Sequence, residues 1–184
     1  MGDITLLIEQ ARDGDRAAFD RLFEVLYPEL RAAAHRRLGR HSREDAIDTT
    51  ALVNECYLKL SRVEGLPPVD RAHFLAYAAT VMRSIIVDAA RASHAERRGG
   101  GADAVPLDTT LIDRLADPAE EILDVDAALR ELTQVDARLA RVVELRYFGG
   151  LSDTEIGDAL HISDRTVRRD WEKARLLLAH ALRG

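Results

Sequence analysis

The chain has 184 residues, enough for one domain of ordinary size or two small ones, and its 47% hydrophobic and 32% charged content is that of a soluble globular protein. No apolar run reaches bilayer length, the N-terminal MGDITLLIEQARDGD carries acids where a secretory signal needs cations, and Leu6 stands where a myristoylation signal needs serine or threonine. Cys56 is the only cysteine, which excludes an internal disulfide and argues against structural zinc; the expected location is the cytoplasm.

The net charge of −6 is unevenly spread. From Asp103 to Asp126 eight acids face Arg114 alone, a segment of −7, which leaves the rest of the chain at +1. Basic clusters remain at Arg31 to Arg43, at Arg91 to Arg98 and in the last helices. A stand-alone repressor must attract DNA by itself and tends to be basic. A near-neutral chain with local basic patches suits a protein that reaches DNA within a larger complex.

Aromatics are only 5%, alanine, leucine and arginine dominate, and no alternating period argues for strands, so the expected fold class is all-α. There is no internal repeat. A first helix is expected over about Ile4 to Asp13. A second, Arg16 to Leu38, places Phe19, Leu22, Phe23, Leu26 and Leu30 on one face, with Gly39 as its stop and a bend or break at Pro28. A third, Asp45 to Arg62, turns Leu52, Val53, Cys56, Tyr57 and Leu60 inward and leaves Ile47, Thr50, Ala51, Asn54 and Glu55 as the opposite stripe. Pro67-Pro68 marks a loop, and a fourth helix follows from about Ala72 to His94.

Composition changes at Arg97-Arg98-Gly99-Gly100-Gly101, and an aperiodic acidic stretch runs from there to Asp117-Pro118. It reads as a flexible linker over 96–117, between helical domains over 1–95 and 118–184. The glycine triplet lacks the Lys-Ser/Thr ending of a phosphate-binding loop. The second domain opens with Asp117 as cap, Pro118 in the first turn and Glu120 and Glu121 near the positive helix end. Ile122, Val125, Leu129 and Leu132 form its face. Thr133 is expected to cap the next helix, with Leu139, Val142 and Val143 inward and Gly149-Gly150 ending it.

The stretch from Leu151 to Arg175, LSDTEIGDALHISDRTVRRDWEKAR, carries the most information. Ser152 and Glu155 have the spacing of a capping box, and Ile156, Ala159 and Leu160 give the helix an apolar face. His161 and Ile162 form a turn. Ser163 caps a second helix whose inward stripe is Val167, Trp171, Ala174 and Leu178. Its other face holds Arg165, Thr166, Arg168, Arg169 and Lys173. A helix of this kind fits the major groove, with arginines suited to guanine or phosphate, Lys173 as a phosphate contact and Ser163 combining a cap with a phosphate hydrogen bond.

The first domain narrows the choice. The run Phe74-Leu-Ala-Tyr77-Ala-Ala-Thr-Val-Met82-Arg-Ser84-Ile-Ile-Val-Asp88-Ala-Ala-Arg91 resembles the promoter-melting helix of bacterial extracytoplasmic-function (ECF) sigma factors. Ala51-Leu52-Val53-Asn54-Glu55-Cys56-Tyr57-Leu58-Lys59-Leu60 resembles their polymerase-binding helix, and Leu139 to Arg175 resembles their −35-binding domain. The resemblance covers nearly the whole chain in the right order. It implies that the first domain docks on the polymerase clamp and opens the −10 element, that the second reads the −35 element, and that the linker threads into polymerase channels. It further implies that the loop from Arg62 to His73, restricted by Pro67-Pro68, sets −10 specificity. Phe74 and Tyr77 read as stacking or core residues, with core favoured for Phe74; Arg71, Arg83 and Arg91, with Tyr77, are the candidate contacts to the single strand. Ser84 replaces the asparagine usual in the family.

By the same resemblance the stripe of Thr50, Ala51, Asn54 and Glu55, with Asp48, meets the clamp. Most relatives carry two carboxylates at the positions of Thr50 and Ala51. Phosphorylation of Thr50 would add about −1.5 to −2 charges, close to what the missing pair supplies. The chain resembles a subgroup with the same loss and with kinase partners, so Thr50 is the candidate acceptor and Thr49 the alternative. The partners implied are core RNA polymerase and promoter DNA, with a Ser/Thr protein kinase and an anti-sigma factor as further candidates. No membrane and no cofactor are expected.

Cys56 and the six histidines, His35, His41, His73, His94, His161 and His180, show no metal spacing, and no nucleophile or paired-carboxylate signature supports an enzyme. The alternative is a stand-alone helix-turn-helix regulator. That reading expects specific duplex binding without polymerase, whereas the sigma reading expects strong promoter binding only with it.

Overall fold

The computed structural model describes residues 2–38, 47–99 and 118–181. Among them every regular element is helical. α1 is Gly2–Arg12, α2 Arg16–Leu38, α3 Thr49–Leu60 and α4 Arg71–Gly99. Beyond the undescribed stretch come α5, Pro118–Val135, and α6, Ala137–Val143. A π-helical segment, Glu144–Phe148, continues from α6, and α7, Asp153–Leu160, and α8, Asp164–Ala181, complete the chain.

Several boundaries differ from expectation for local reasons. α2 runs unbroken through Pro28, which stands with Glu24, four residues earlier, on the exposed face, where water can satisfy the carbonyl that loses its N–H partner. α3 begins at Thr49 rather than Asp45, because Asp48 is its cap: the carboxylate accepts from the N–H groups of Thr50 at 2.8 Å and Ala51 at 2.9 Å. Ile47 therefore lies ahead of the helix, partly buried against the core, and is not part of the α3 stripe. α4 extends past His94 to Gly99. The cap of α6 is Asp136, which accepts from the Leu139 N–H at 3.1 Å. Thr133 is not a cap: it stands inside α5, where its hydroxyl bonds back to the Leu129 carbonyl at 2.8 Å. Gly39, Asp117 and the linker from 100 onward lie outside the described residues. Of the acids in the −7 segment, Glu120, Glu121, Asp124 and Asp126 belong to α5.

α1, α2, α3 and α4 pack around Phe19, Leu22, Leu26, Leu52, Cys56, Phe74 and Met82. The second half closes around Leu129, Leu139, Val142, Ile156 and Val167. These are not two separate cores. α4 packs on α5, the π segment and α7, and Phe148 is fully buried in one cluster that includes Ala79 and Leu129. Gly149 and Gly150 permit the close approach. A Cβ on Gly149 would overlap the Ala79 side chain, and one on Gly150 would meet the Ala33 carbonyl. Gly150 also has φ +63°, a left-handed backbone that glycine adopts without strain.

Replacing Gly149 with alanine is expected to lower stability by about 1–3 kcal/mol through overpacking of this seam. Denaturant unfolding of full-length protein measures it; an unchanged midpoint would show that the halves do not meet there.

Candidate nucleic-acid and polymerase interface

The helix-turn-helix forms as its local signals require. The Ser152 hydroxyl accepts from the Glu155 N–H at 3.3 Å while the Glu155 carboxylate accepts from the Ser152 N–H at 2.7 Å, the reciprocal pair of a capping box. His161 ends α7 in the left-handed conformation at φ 55°. Ser163 starts α8, accepting from the Thr166 N–H at 3.2 Å. Val167 and Ala174 are buried and Trp171 is half-buried beneath the Arg146 guanidinium, so Trp171 packs inward. The first turn of α8 presents Arg165 to solvent beside half-buried Thr166. Arg168 lies 3.4 Å from Asp153, Arg169 3.2 Å from Asp170, and Lys173 3.8 Å from Asp136. All three cations are more than half exposed; Arg168 and Lys173 pair with partly exposed acids, contacts worth roughly 0–1 kcal/mol that phosphates can replace, whereas Arg169 lies beside buried Asp170. Sequence reasoning missed Asp170. It is buried between the cations, 2.8 Å from Arg138, and holds α8 to α6. Its place on the inward stripe, three residues after Val167, was the available signal.

The charged side chains of α4 are more fully engaged. Phe74 is fully buried in the core and Tyr77 half-buried. Arg71 is tied to Glu29. Arg83 donates from Nη2 and Nε to Asp126 at 2.7 and 2.9 Å and from Nη1 to Glu144 at 3.3 Å. Both carboxylates are buried and both come from the second half of the chain. Arg91 lies 3.5 Å from Asp88 and 3.8 Å from Asp126. Ser84 donates to the Val81 carbonyl at 2.8 Å and receives Lys59 at 3.1 Å, and Lys59 also reaches Asp88 at 3.2 Å. The structure thus brings Arg83 and Arg91 together on α4 beside Asp126, which covers Arg83 and leaves Arg91 more than half exposed. Neither Asp126 nor Glu144 was legible as a partner, because they lie 43 and 61 residues from Arg83.

At the head of α4, burial pushes the Asp70 carboxyl upward. Hydrogen bonds from the His73 N–H and ring outweigh burial, together with one from the Ala72 N–H, and hold it below its ordinary value. The His73 ring meets the His161 ring edge-on at 5.3 Å, so the start of α4 and the turn before α8 touch.

On α3, Thr50, Asn54 and Glu55 are exposed, Ala51 and Thr49 are half-buried, and Asp48 is occupied as the cap. Tyr57 is fixed from the other side, donating to Asp20 at 2.8 Å. Cys56 is buried, and burial pushes its thiol up to about 12, so it offers no thiolate. Among the described residues no cluster of His, Cys, Asp and Glu is placed to hold a metal, and no helix is long and apolar enough to cross a membrane.

The ECF sigma factor family model matches residues 1–184. No curated protein matches the chain. With a capped basic recognition helix, an α4 carrying the melting-helix run and a match from end to end, the chain belongs to the ECF sigma factors, regulators of transcription that bind core RNA polymerase and promoter DNA.

Proposed function

We propose that this sigma factor reads the −35 element with α8, melts the −10 element with α4, and keeps α4 covered until polymerase is engaged. The observation that carries this reading is the contrast between its two DNA-facing helices. The first turn of α8 is open, with Arg165 exposed and Ser163 and Thr166 beside it. Arg83 on α4 is held by two buried carboxylates, Asp126 and Glu144, which stand where phosphate oxygens would. Docking on polymerase separates the halves and exchanges carboxylate for DNA. Arg168, Arg169 and Lys173 then support Arg165 on the −35 duplex, while Arg71, Tyr77 and Arg91 join Arg83 on the melted strand.

Polymerase docking falls to Thr50, Ala51, Asn54 and Glu55, with Asp48 at the head of the helix. Thr50 is the point of control. It is exposed at the positive end of α3, where a phosphate is favoured by the helix dipole, whereas Thr49 is half-buried. A Ser/Thr kinase partner would restore there the charge that the uncharged pair Thr50-Ala51 lacks. An anti-sigma factor would act by holding the same halves together.

Three outcomes test this. Thr50→Glu is expected to bind core polymerase about tenfold more tightly than wild type or Thr50→Ala, the scale of one added charge-assisted contact; tight binding by the unmodified and alanine forms contradicts the control. In holoenzyme, Arg165→Ala is expected to cost about 1–3 kcal/mol and relax −35 preference, while Lys173→Ala weakens all promoters alike and lowers the salt slope by about 1; equal effects would remove the base-reading role. Asp126→Asn is expected to raise run-off transcription by core polymerase several-fold at limiting factor; no change would mean that α4 is not restrained.

A further inference from the structure

We infer that the cleft between the C-terminal end of α2 and the π segment binds a small phosphoryl oxyanion, held by Arg37. The cleft encloses about 270 Å³ and is lined by Arg36, Arg37, Arg146, Tyr147, Gly150 and Asp153, among others. That lies just below the range of about 300–1,000 Å³ typical of sites for drug-sized ligands, so it suits an ion or a single phosphoryl group.

Arg37 is the unusual residue. It is only 4% exposed, and its Nε is buried with no hydrogen-bond partner among the described residues. Its guanidinium lies over the rings of Tyr147 at 4.7 Å and Phe148 at 5.9 Å. Ring faces attract a cation but accept no strong hydrogen bond from it. The negative end of α2 compensates only part of the charge. Arginine cannot escape by losing its proton, and a buried charge without an anion is costly.

The neighbouring cations already have partners. Arg36 donates to the Gly150 carbonyl at 2.6 Å and to Glu155 at 3.0 Å. Arg146 pairs with Asp153 and lies over Trp171 at 4.9 Å. Glu155 and Asp153 therefore answer Arg36 and Arg146, and among the described residues Arg37 has no carboxylate partner. A tetrahedral oxyanion supplies the acceptors that its planar fork lacks. The Asp153 carboxylate repels an anion on the Arg146 side, which seats the ligand toward α2.

The lining comes from both halves of the chain, so the site is complete only when they are packed. A ligand there favours the packed form by mass action. Its regulatory consequence, restraint of α4, rests on the function proposed above; its existence does not.

The test is titration of the free full-length factor with inorganic phosphate, with chloride at matched ionic strength as control. Fluorescence of Trp171, the single tryptophan, reports through Arg146. A saturable change with phosphate and none with chloride is expected, together with a raised thermal midpoint. Arg37→Met is expected to weaken binding at least tenfold. Should that variant not fold, Arg36→Gln removes a second lining cation and is expected to weaken binding as well. A parallel titration with AMP separates the sources: saturation by phosphate alone assigns the free ion, and tighter saturation by AMP assigns a phosphoryl metabolite. No saturable change with either, or one equal in Arg37→Met, overturns the site. If phosphate binds while Asp126→Asn leaves transcription unchanged, the site stands and the restraint of α4 falls. If Asp126→Asn activates and phosphate does nothing, the reverse holds.

Discussion

The arrangement of this protein depends on one half-buried cation held by two buried carboxylates. Arg83 enters the seam from α4 and satisfies Asp126 of α5 and Glu144 of the π segment together, with its guanidinium over the Phe148 ring at 5.5 Å. A buried pair of this kind is weak support for stability when set against an apolar replacement, but removing one partner strands the others, at about 3–5 kcal/mol. It therefore selects an arrangement more than it strengthens the fold. The same guanidinium lies on the helix proposed to melt the −10 element, so its geometry with carboxylates and the proposed use on DNA exclude each other.

Apolar contacts carry the cohesion of the seam. Ala79 against Gly149, and the Ala33 carbonyl against Gly150, allow backbones to approach where any larger residue would hold them apart. Arg36 adds a hydrogen bond to the Gly150 carbonyl from the α2 side. The His73–His161 contact brings the start of α4 against the turn that precedes α8. α4 and the turn before α8 are thus packed near one another while the basic face of α8 stays exposed.

The helix-turn-helix was legible in the sequence because its determinants are local. Ser152 with Glu155, the left-handed turn residue His161 and the Ser163 cap all act within a few residues, and the apolar stripe of α8 follows from helical period alone. Boundaries failed where two caps competed. Thr133 and Asp136 both suit an N-cap, and the carboxylate won while the hydroxyl bonded within α5. Asp48 likewise displaced Asp45 as the start of α3. Asp126 and Glu144 gave no signal, since each reads in isolation as an ordinary solvated acid and its partner is more than forty residues away. Arg37 was visible only as one member of a basic cluster; its burial is a property of the packed halves.

Amide hydrogen exchange on the full-length factor, free and bound to core polymerase, tests the central claim most directly. The account predicts that α4, α5 and the π segment share strong protection in the free chain, and that α5 and the π segment lose it when polymerase binds while the α1–α4 core does not. Independent exchange of the two halves in the free chain, or unchanged protection of α5 in the complex, would contradict it.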